Sequence, residues 1–135
     1  MTVLNRKDLQ SDDDVILMVN TFYERVRADE ILAPIFDDVA RVDWETHLPR
    51  MYAFWEAVLF GKQGFKGDPL AKHRELALLT PLTSREFGRW VDLFHDTVDD
   101  LFLGPIAEGA KQRAERIAVV MQSHISGLTS LLAVT

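Results

Sequence analysis

The spacing of hydrophobic residues along the chain predicts four long helices. Four sets of apolar residues recur at the three- and four-residue spacing that places side chains on one face of a helix. The sets are Val15, Met18, Val19, Phe22 and Val26; Leu48, Met51, Trp55, Val58 and Leu59; Phe87, Trp90, Val91, Phe94, Val98 and Leu101; and Ile106, Ala110, Ala114, Ile117, Met121, Leu128 and Leu132. The sequence shows neither a strand pattern nor an internal repeat. The pattern therefore predicts an all-α fold.

A proline predicts where the second helix begins. Pro49 would cost about 3 kcal/mol deep inside a helix, whereas the first helical turn tolerates it. We therefore expect Thr46 to cap this helix and His47 to be its first helical residue. His47 would then share a face with Met51 and Trp55. A histidine at the start of an apolar face is more often a capping or surface residue, so the pattern alone assigns it no function.

Between the second and third helices, residues 61–80 show little regular pattern. A stretch of this length is rare in a compact domain unless it serves a site. Asp68 can cap a short helix that begins at Pro69 and carries His73. If one ring nitrogen of His73 donates a hydrogen bond to a backbone carbonyl, the other ring nitrogen is free to bind a metal. A lone histidine is more often a surface or core residue, so this segment leaves both possibilities open.

Three residues place a polar atom on an otherwise apolar helix face: Tyr23, His47 and Trp90. Buried without hydrogen-bond partners, each would cost about 1–3 kcal/mol. Their presence is explained if they converge on each other and on a polar group that arrives from outside. A flat apolar cofactor with one open metal position would fill the interior and supply that group.

The composition is typical of a single globular domain. Of the 135 residues, 47% are hydrophobic, and they include eight Phe and three Trp. We therefore expect residues 1–135 to form one domain with an aromatic-rich core. Residues 1–11 are expected to form a flexible N-terminus. The net charge of −6 argues against a nucleic acid or an anionic membrane as a partner.

The chain contains no cysteine, which excludes disulfides, thiolate metal sites and haem attached through a C-x-x-C-H motif. The first residues show no apolar signal-peptide core, and no long apolar run could span a membrane. We therefore expect a cytoplasmic protein.

From about Phe22 to Met121 the sequence resembles the group III truncated haemoglobins. The resemblance depends on short pieces in a fixed order, each of which is weak alone. The pieces are Phe22-Tyr23; Pro34-Ile35-Phe36; His47-Leu48-Pro49-Arg50-Met51 followed by Phe54-Trp55; Phe65-Lys66-Gly67-Asp68-Pro69 ending at His73; and Phe87-Gly88-Arg89-Trp90-Val91-Asp92-Leu93-Phe94. As an ordered set they are highly specific.

This resemblance implies a truncated globin fold, in which two antiparallel helix pairs form a two-over-two sandwich around a non-covalent haem b. His73 matches the family's proximal iron ligand. On the opposite, distal side, Tyr23 and Trp90 match residues that donate hydrogen bonds to a bound ligand. His47 occupies the distal histidine position.

Other positions match residues that bind the cofactor in this family. Those that pack on the haem or line its distal side are Phe22, Phe36, Met51 and Trp55. Arg50 and Lys72 fall where the family often places cations for the haem propionates. That assignment is weaker, because exposed basic residues are common.

Two further histidines, His95 and His124, match no ligand position. His95 follows Trp90 by five residues and so points away from its face, and we expect it to be solvated. We expect His124 to lie on a helix surface or at an interface.

The resemblance implies binding of O2, NO or another small diatomic ligand. One hypothesis adds redox chemistry directed at NO or peroxide. Because the sequence shows no flavin or reductase domain, such turnover would need an external reductase. The alternative is a gas-binding or sensing module without catalysis. A helical protein that binds no haem is the third reading.

Overall fold

The computed structural model describes residues 6–63 and 82–134, with side chains as far as residue 123. Four long helices occur in this part of the chain, together with a short π-helix. They are α1 (Asp12–Ala28), the π-helix (Ile35–Val39), α2 (Trp44–Phe60), α3 (Ser84–Leu101) and α4 (Pro105–Val134). The predicted all-α fold is confirmed.

The four helices pack as two pairs, one formed by α1 and α2 and the other by α3 and α4. Helix α1 also packs on α3, and this contact joins the two pairs into a sandwich. Phe94 is fully buried near the centre, where its ring stacks on Trp55 at 4.8 Å and on Trp90 at 5.9 Å. The edge of the Phe22 ring meets the Phe94 ring at 5.2 Å. Aromatic rings from three helices therefore form the middle of the core. Within the described residues, no helix is long and apolar enough to cross a bilayer.

Helix α2 begins earlier than its proline predicts, so the assignment of Thr46 as the cap is wrong. Asp43 is the N-cap, and its carboxylate accepts hydrogen bonds from the Glu45 amide at 3.2 Å and the Thr46 hydroxyl at 2.9 Å. His47 is consequently the fourth helical residue rather than the first, and its amide donates to the Asp43 carbonyl at 2.8 Å. Pro49 lies inside the helix but is exposed, as is Glu45. Water can therefore hydrate the carbonyl that Pro49 leaves without a helical donor.

Residues 6–11 pack against the start of α4, while residues 1–5 lie outside the described part. The flexibility expected of residues 1–11 stays a prediction. Leu9 is fully buried, and the Lys7 carbonyl accepts from the Leu103 amide at 2.9 Å. The Asp8 carboxylate accepts from the first amides of α4, those of Ile106 at 3.0 Å and Ala107 at 2.8 Å. A negative charge at the positive end of a helix is stabilising. This segment therefore caps α4.

Helix α1 ends at a buried carboxylate that joins it to α3. One oxygen of Asp29 accepts from the amides of Ile31 at 3.1 Å and Leu32 at 3.0 Å. The other oxygen accepts from Nε of Arg89 at 2.6 Å. Burial alone would raise the pKa of Asp29, but Arg89 and the two amides outweigh burial and hold this pKa below its ordinary value.

Replacing Asp29 with asparagine is therefore expected to destabilise the fold by about 1–3 kcal/mol at neutral pH, because a buried charge-assisted bond is lost. Because the pKa of Asp29 is lower in the folded state, the carboxylate's contribution to stability is fully present at pH values above its ordinary pKa of 3.8. It is lost as the pH falls through the folded-state pKa. Urea unfolding of Asp29→Asn and the parent chain at pH 7 and pH 3 tests this. A stability difference that stays constant between the two pH values would contradict it.

Candidate functional site

Tyr23 lies in the middle of α1, facing the interior, and is 6% exposed. Its ring contacts Phe22 at 4.9 Å and Phe36 at 6.0 Å between centroids. Burial raises the pKa of the Tyr23 hydroxyl well above its ordinary value. The hydroxyl is therefore protonated at physiological pH and available as a hydrogen-bond donor.

The structure brings His47 directly against Tyr23. The two ring centroids are 5.3 Å apart, and the rings meet edge to face at 82°. His47 is half-buried on α2. Two of the residues expected on the distal side, carried by different helices, therefore lie together.

Trp90 reaches the same aromatic cluster from α3. Its ring is stacked on Phe94 and meets Phe22 edge to face, with centroids 5.6 Å apart. Phe22 is thus in contact with both Trp90 and Tyr23. Trp90 is half-buried, as expected of a residue at the margin of the core.

The predicted cofactor-binding residues divide into two groups in the structure. Phe22 and Trp55 belong to the core, at 1% and 2% exposure. Phe36 and Met51 are half-buried at its edge, and Arg50 is exposed on α2. Both Lys72 and the predicted iron ligand His73 lie outside the described residues.

Sequence reasoning did not identify Trp44, the first residue of α2. Its ring contacts Tyr23 at 5.4 Å and His47 at 5.5 Å. Because the helix was expected to begin after Trp44, this residue was not placed on a helix face. The signal in the sequence was its position three residues before His47, which puts the two on one face once Asp43 is recognised as the cap.

The expectation that His95 is solvated is wrong, because α4 packs over it. His95 is half-buried, with Nε2 3.3 Å from the Lys111 carbonyl and 3.2 Å from a carboxylate oxygen of Glu115. These contacts explain His95 as part of the interface between α3 and α4. The side chain of His124 lies outside the described residues.

The surface of α2 fits a flat apolar group such as haem. Trp55 is the buried residue of this helix, although the helix carries many other large apolar side chains. The others are half-buried at the edge of the core: Trp44, Leu48, Met51, Tyr52, Phe54, Val58, Leu59 and Phe60. Covering such half-exposed apolar surface with a porphyrin would be favourable at about 25 cal/mol per Å². The donors of Tyr23, His47 and Trp90 add the polar groups that a ligand-binding haem pocket requires.

Comparison with known proteins identifies the family of the chain. The sequence model of the bacterial-like globins matches residues 8–124. The group 3 truncated haemoglobin of Campylobacter jejuni is 28% identical over 118 residues, which cover 85% of this chain and 91% of that protein. The crystal structure of a group III truncated haemoglobin from Campylobacter jejuni superposes with a TM-score of 0.78 at 27% identity. The superposition covers 90% of this chain and 95% of that one. The resemblance inferred from the sequence is confirmed.

Proposed function

Because the chain belongs to the bacterial-like globin family, we propose that it binds non-covalent haem b and holds O2, NO or a related ligand on the side that Tyr23 faces. Membership of the globin family implies haem binding. His73 is the proposed proximal ligand, on the strength of the motif that leads to it in the sequence. Arg50 and Lys72 are the proposed partners of the propionates.

The observation that carries the proposal is the contact between buried Tyr23 and half-buried His47. When bound, the haem iron supplies an open coordination position for a diatomic ligand. The Tyr23 hydroxyl is protonated at physiological pH, as it would be at its ordinary pKa, and can donate a hydrogen bond to the negatively polarised outer atom of such a ligand. The indole N–H of Trp90, whose ring also contacts Phe22, is a second possible donor. Each donor should retain the ligand by roughly 1 kcal/mol or more.

Strong retention favours chemistry over rapid oxygen delivery, and we propose redox turnover of NO or peroxide. For nitric oxide the overall reaction joins one NO and one O2 to nitrate and consumes one electron. We propose that a reductase supplies that electron. The distal residues would bind and orient the reactants by the hydrogen bonds described above.

Two measurements test the proposal. The first is the absorption spectrum of the purified chain in ferric, ferrous and oxygenated forms, which should show one haem per chain. The second is rapid mixing of the oxygenated protein with NO, with and without a reductase. Stoichiometric nitrate in one turnover, and repeated turnover only with the reductase, is the expected result. A chain without haem would contradict the proposal as a whole, and oxygenated protein that yields no nitrate would contradict its NO chemistry.

His47 is expected to control access of the ligand rather than its release. The imidazole lies in the second turn of α2, where Pro49 removes one backbone hydrogen bond, so it can move more easily than a residue in mid-helix. His47→Leu should change the association rate of CO more than its dissociation rate. Stopped-flow kinetics on the variant and the parent chain measures both rates. Faster O2 release with unchanged association would instead make His47 a direct hydrogen-bond donor.

A further inference from the structure

Trp44 is held on three sides by residues of other elements. Its indole stacks on Phe36 of the π-helix, with centroids 5.9 Å apart and an angle of 25° between the rings. The indole N–H donates to a carboxylate oxygen of Asp37 at 3.2 Å. The guanidinium carbon of Arg27, on α1, lies 4.8 Å from the centre of the ring. The first residue of α2 is therefore fixed by both α1 and the π-helix.

The same indole contacts the two residues at the centre of the site. Tyr23, Trp44 and His47 form a triangle in which each ring touches the other two, at centroid distances of 5.3 to 5.5 Å. Trp44 and His47 stand on one face of α2, one turn apart. Packed side chains leave little free space between them. The indole therefore limits the directions in which the imidazole can turn away from Tyr23.

Arg27 and Asp37 connect this triangle to the protein surface. Their side chains are 51% and 39% exposed, and Nε of Arg27 lies 3.7 Å from the same Asp37 oxygen that accepts from Trp44. The Asp37 carboxylate therefore lies at the edge of the indole, and the Arg27 guanidinium lies over its face. A cation in that position is attracted by the negative face of the ring. Both side chains contact Trp44, and Trp44 contacts Tyr23 and His47, so Trp44 links the surface charges to that pair.

We propose that Trp44 is a positioning residue that holds the His47 imidazole against Tyr23 in the ligand-free protein, and that Asp37 and Arg27 act on the site by holding Trp44. The proposal rests on the proposed function only where ligand binding is used to test it. In this proposal a ligand reaches Tyr23 in the molecules whose imidazole has turned away from the Tyr23 ring. Ligand association then scales with the fraction of molecules in which the imidazole has turned away.

Asp37→Ala is the variant that tests the proposal, because it removes the acceptor of the indole N–H. NMR spectra are recorded on the chain as purified, with any haem replaced by diamagnetic zinc protoporphyrin. The indole N–H of Trp44 should exchange with water at least about ten-fold faster, since its hydrogen bond is gone. The ring protons of His47 should shift, because their distances from the rings of Trp44 and Tyr23 change.

The haem-loaded protein gives a second readout. In Asp37→Ala the association rate of CO should rise about five-fold as the turned-away population grows, with dissociation changed less than about two-fold. Asp38→Ala is the matched control, since it removes an exposed carboxylate from the same π-helix. It should leave both the NMR spectra and the rates unchanged.

Trp44→Phe keeps an aromatic ring and deletes the same hydrogen bond from the donor side, so it serves if Asp37→Ala fails to fold. Where both fold, the double variant should show no more than the larger single effect, because the two changes remove one interaction. Fully additive effects, or His47 resonances and CO association identical to those of Asp38→Ala, would overturn the proposal. A chain that takes up no porphyrin would contradict the proposed function instead, and its NMR spectra would still test the position of Trp44.

Discussion

Replacing His73 with alanine is expected to abolish stoichiometric haem binding or to leave a protein that loses haem readily. The motif from Phe65 to His73 matches the proximal segment of the group III truncated haemoglobins. The two histidines whose side chains the structure describes are engaged elsewhere, His47 against Tyr23 and His95 against Lys111 and Glu115. The iron would therefore lose its protein ligand. Absorption spectra and haem transfer to an apo-globin acceptor measure the loss.

His95→Ala is the control for this experiment, because it removes an imidazole from the interface of α3 and α4 and leaves the distal cluster intact. It should keep one haem per chain with the spectrum of the parent protein. Added imidazole should restore haem binding to His73→Ala by occupying the vacated space. A His73→Ala protein that keeps an imidazole-ligated ferrous spectrum without added imidazole would refute the assignment.

The helices could be predicted from the sequence because burial periodicity and caps are local properties. The capping box of Thr83 and Glu86 illustrates this: the Glu86 carboxylate accepts from the Thr83 amide at 2.7 Å, three residues away in the sequence. The start of α2 was not predictable in the same way, because Pro49 alone favours Thr46 as the cap, whereas the observed cap is Asp43, three residues earlier. Packing of Trp44 on Phe36 favours the earlier one, and that contact is tertiary.

The position of residues 6–11 depends on contacts with residues that are distant in the sequence. Asp8 bonds to amides at Ile106 and Ala107, and Lys7 pairs with the backbone next to Phe102. A side chain on Gly104 would come within 2.4 Å of Asp8, so a glycine is required where the segment passes α4. Local composition contains no information about such a partner, so a polar terminus is expected from its sequence to be flexible.

The candidate site likewise contains one part that the sequence could predict and one part that it could not. Tyr23 and His47 could be expected to converge, because a buried polar atom on an apolar face needs a partner. In the structure their rings are in contact. The cluster of Arg27, Asp37 and Trp44 could not be predicted, because it joins a helix end, a π-helix and a helix start through surface geometry.

Replacing Tyr23 with phenylalanine is expected to raise the dissociation rate of O2 by about ten-fold, since a lost hydrogen bond in a buried site is worth roughly 1–3 kcal/mol. Phenylalanine retains the ring that packs on Phe22 and Phe36, so the fold should be preserved. Burial keeps the Tyr23 hydroxyl protonated by raising its pKa, so the effect should be constant across neutral and moderately alkaline pH. Stopped-flow displacement of O2 by CO measures the rate.

Tyr52→Phe provides the matched control, since it makes the same chemical change in α2, where the hydroxyl bonds to Asn20 of α1. It should alter stability but change O2 release by less than about two-fold, because a hydroxyl already committed to a side chain is no donor to the ligand. Equal acceleration in both variants would mean that loosening of the α1–α2 contact, rather than loss of a donor, speeds release.

Trp90→Phe should also speed O2 release, and the combination with Tyr23→Phe decides whether the two donors act on one ligand. Trp90 and Tyr23, on helices α3 and α1, both contact the Phe22 ring. If both hydrogen-bond the same outer atom, removing one changes the position and charge of that atom for the other, so the double variant should be non-additive by about 0.5 kcal/mol or more. Strictly additive effects on the dissociation rate would show that Tyr23 and Trp90 do not share a ligand, and would restrict the distal donor role to Tyr23.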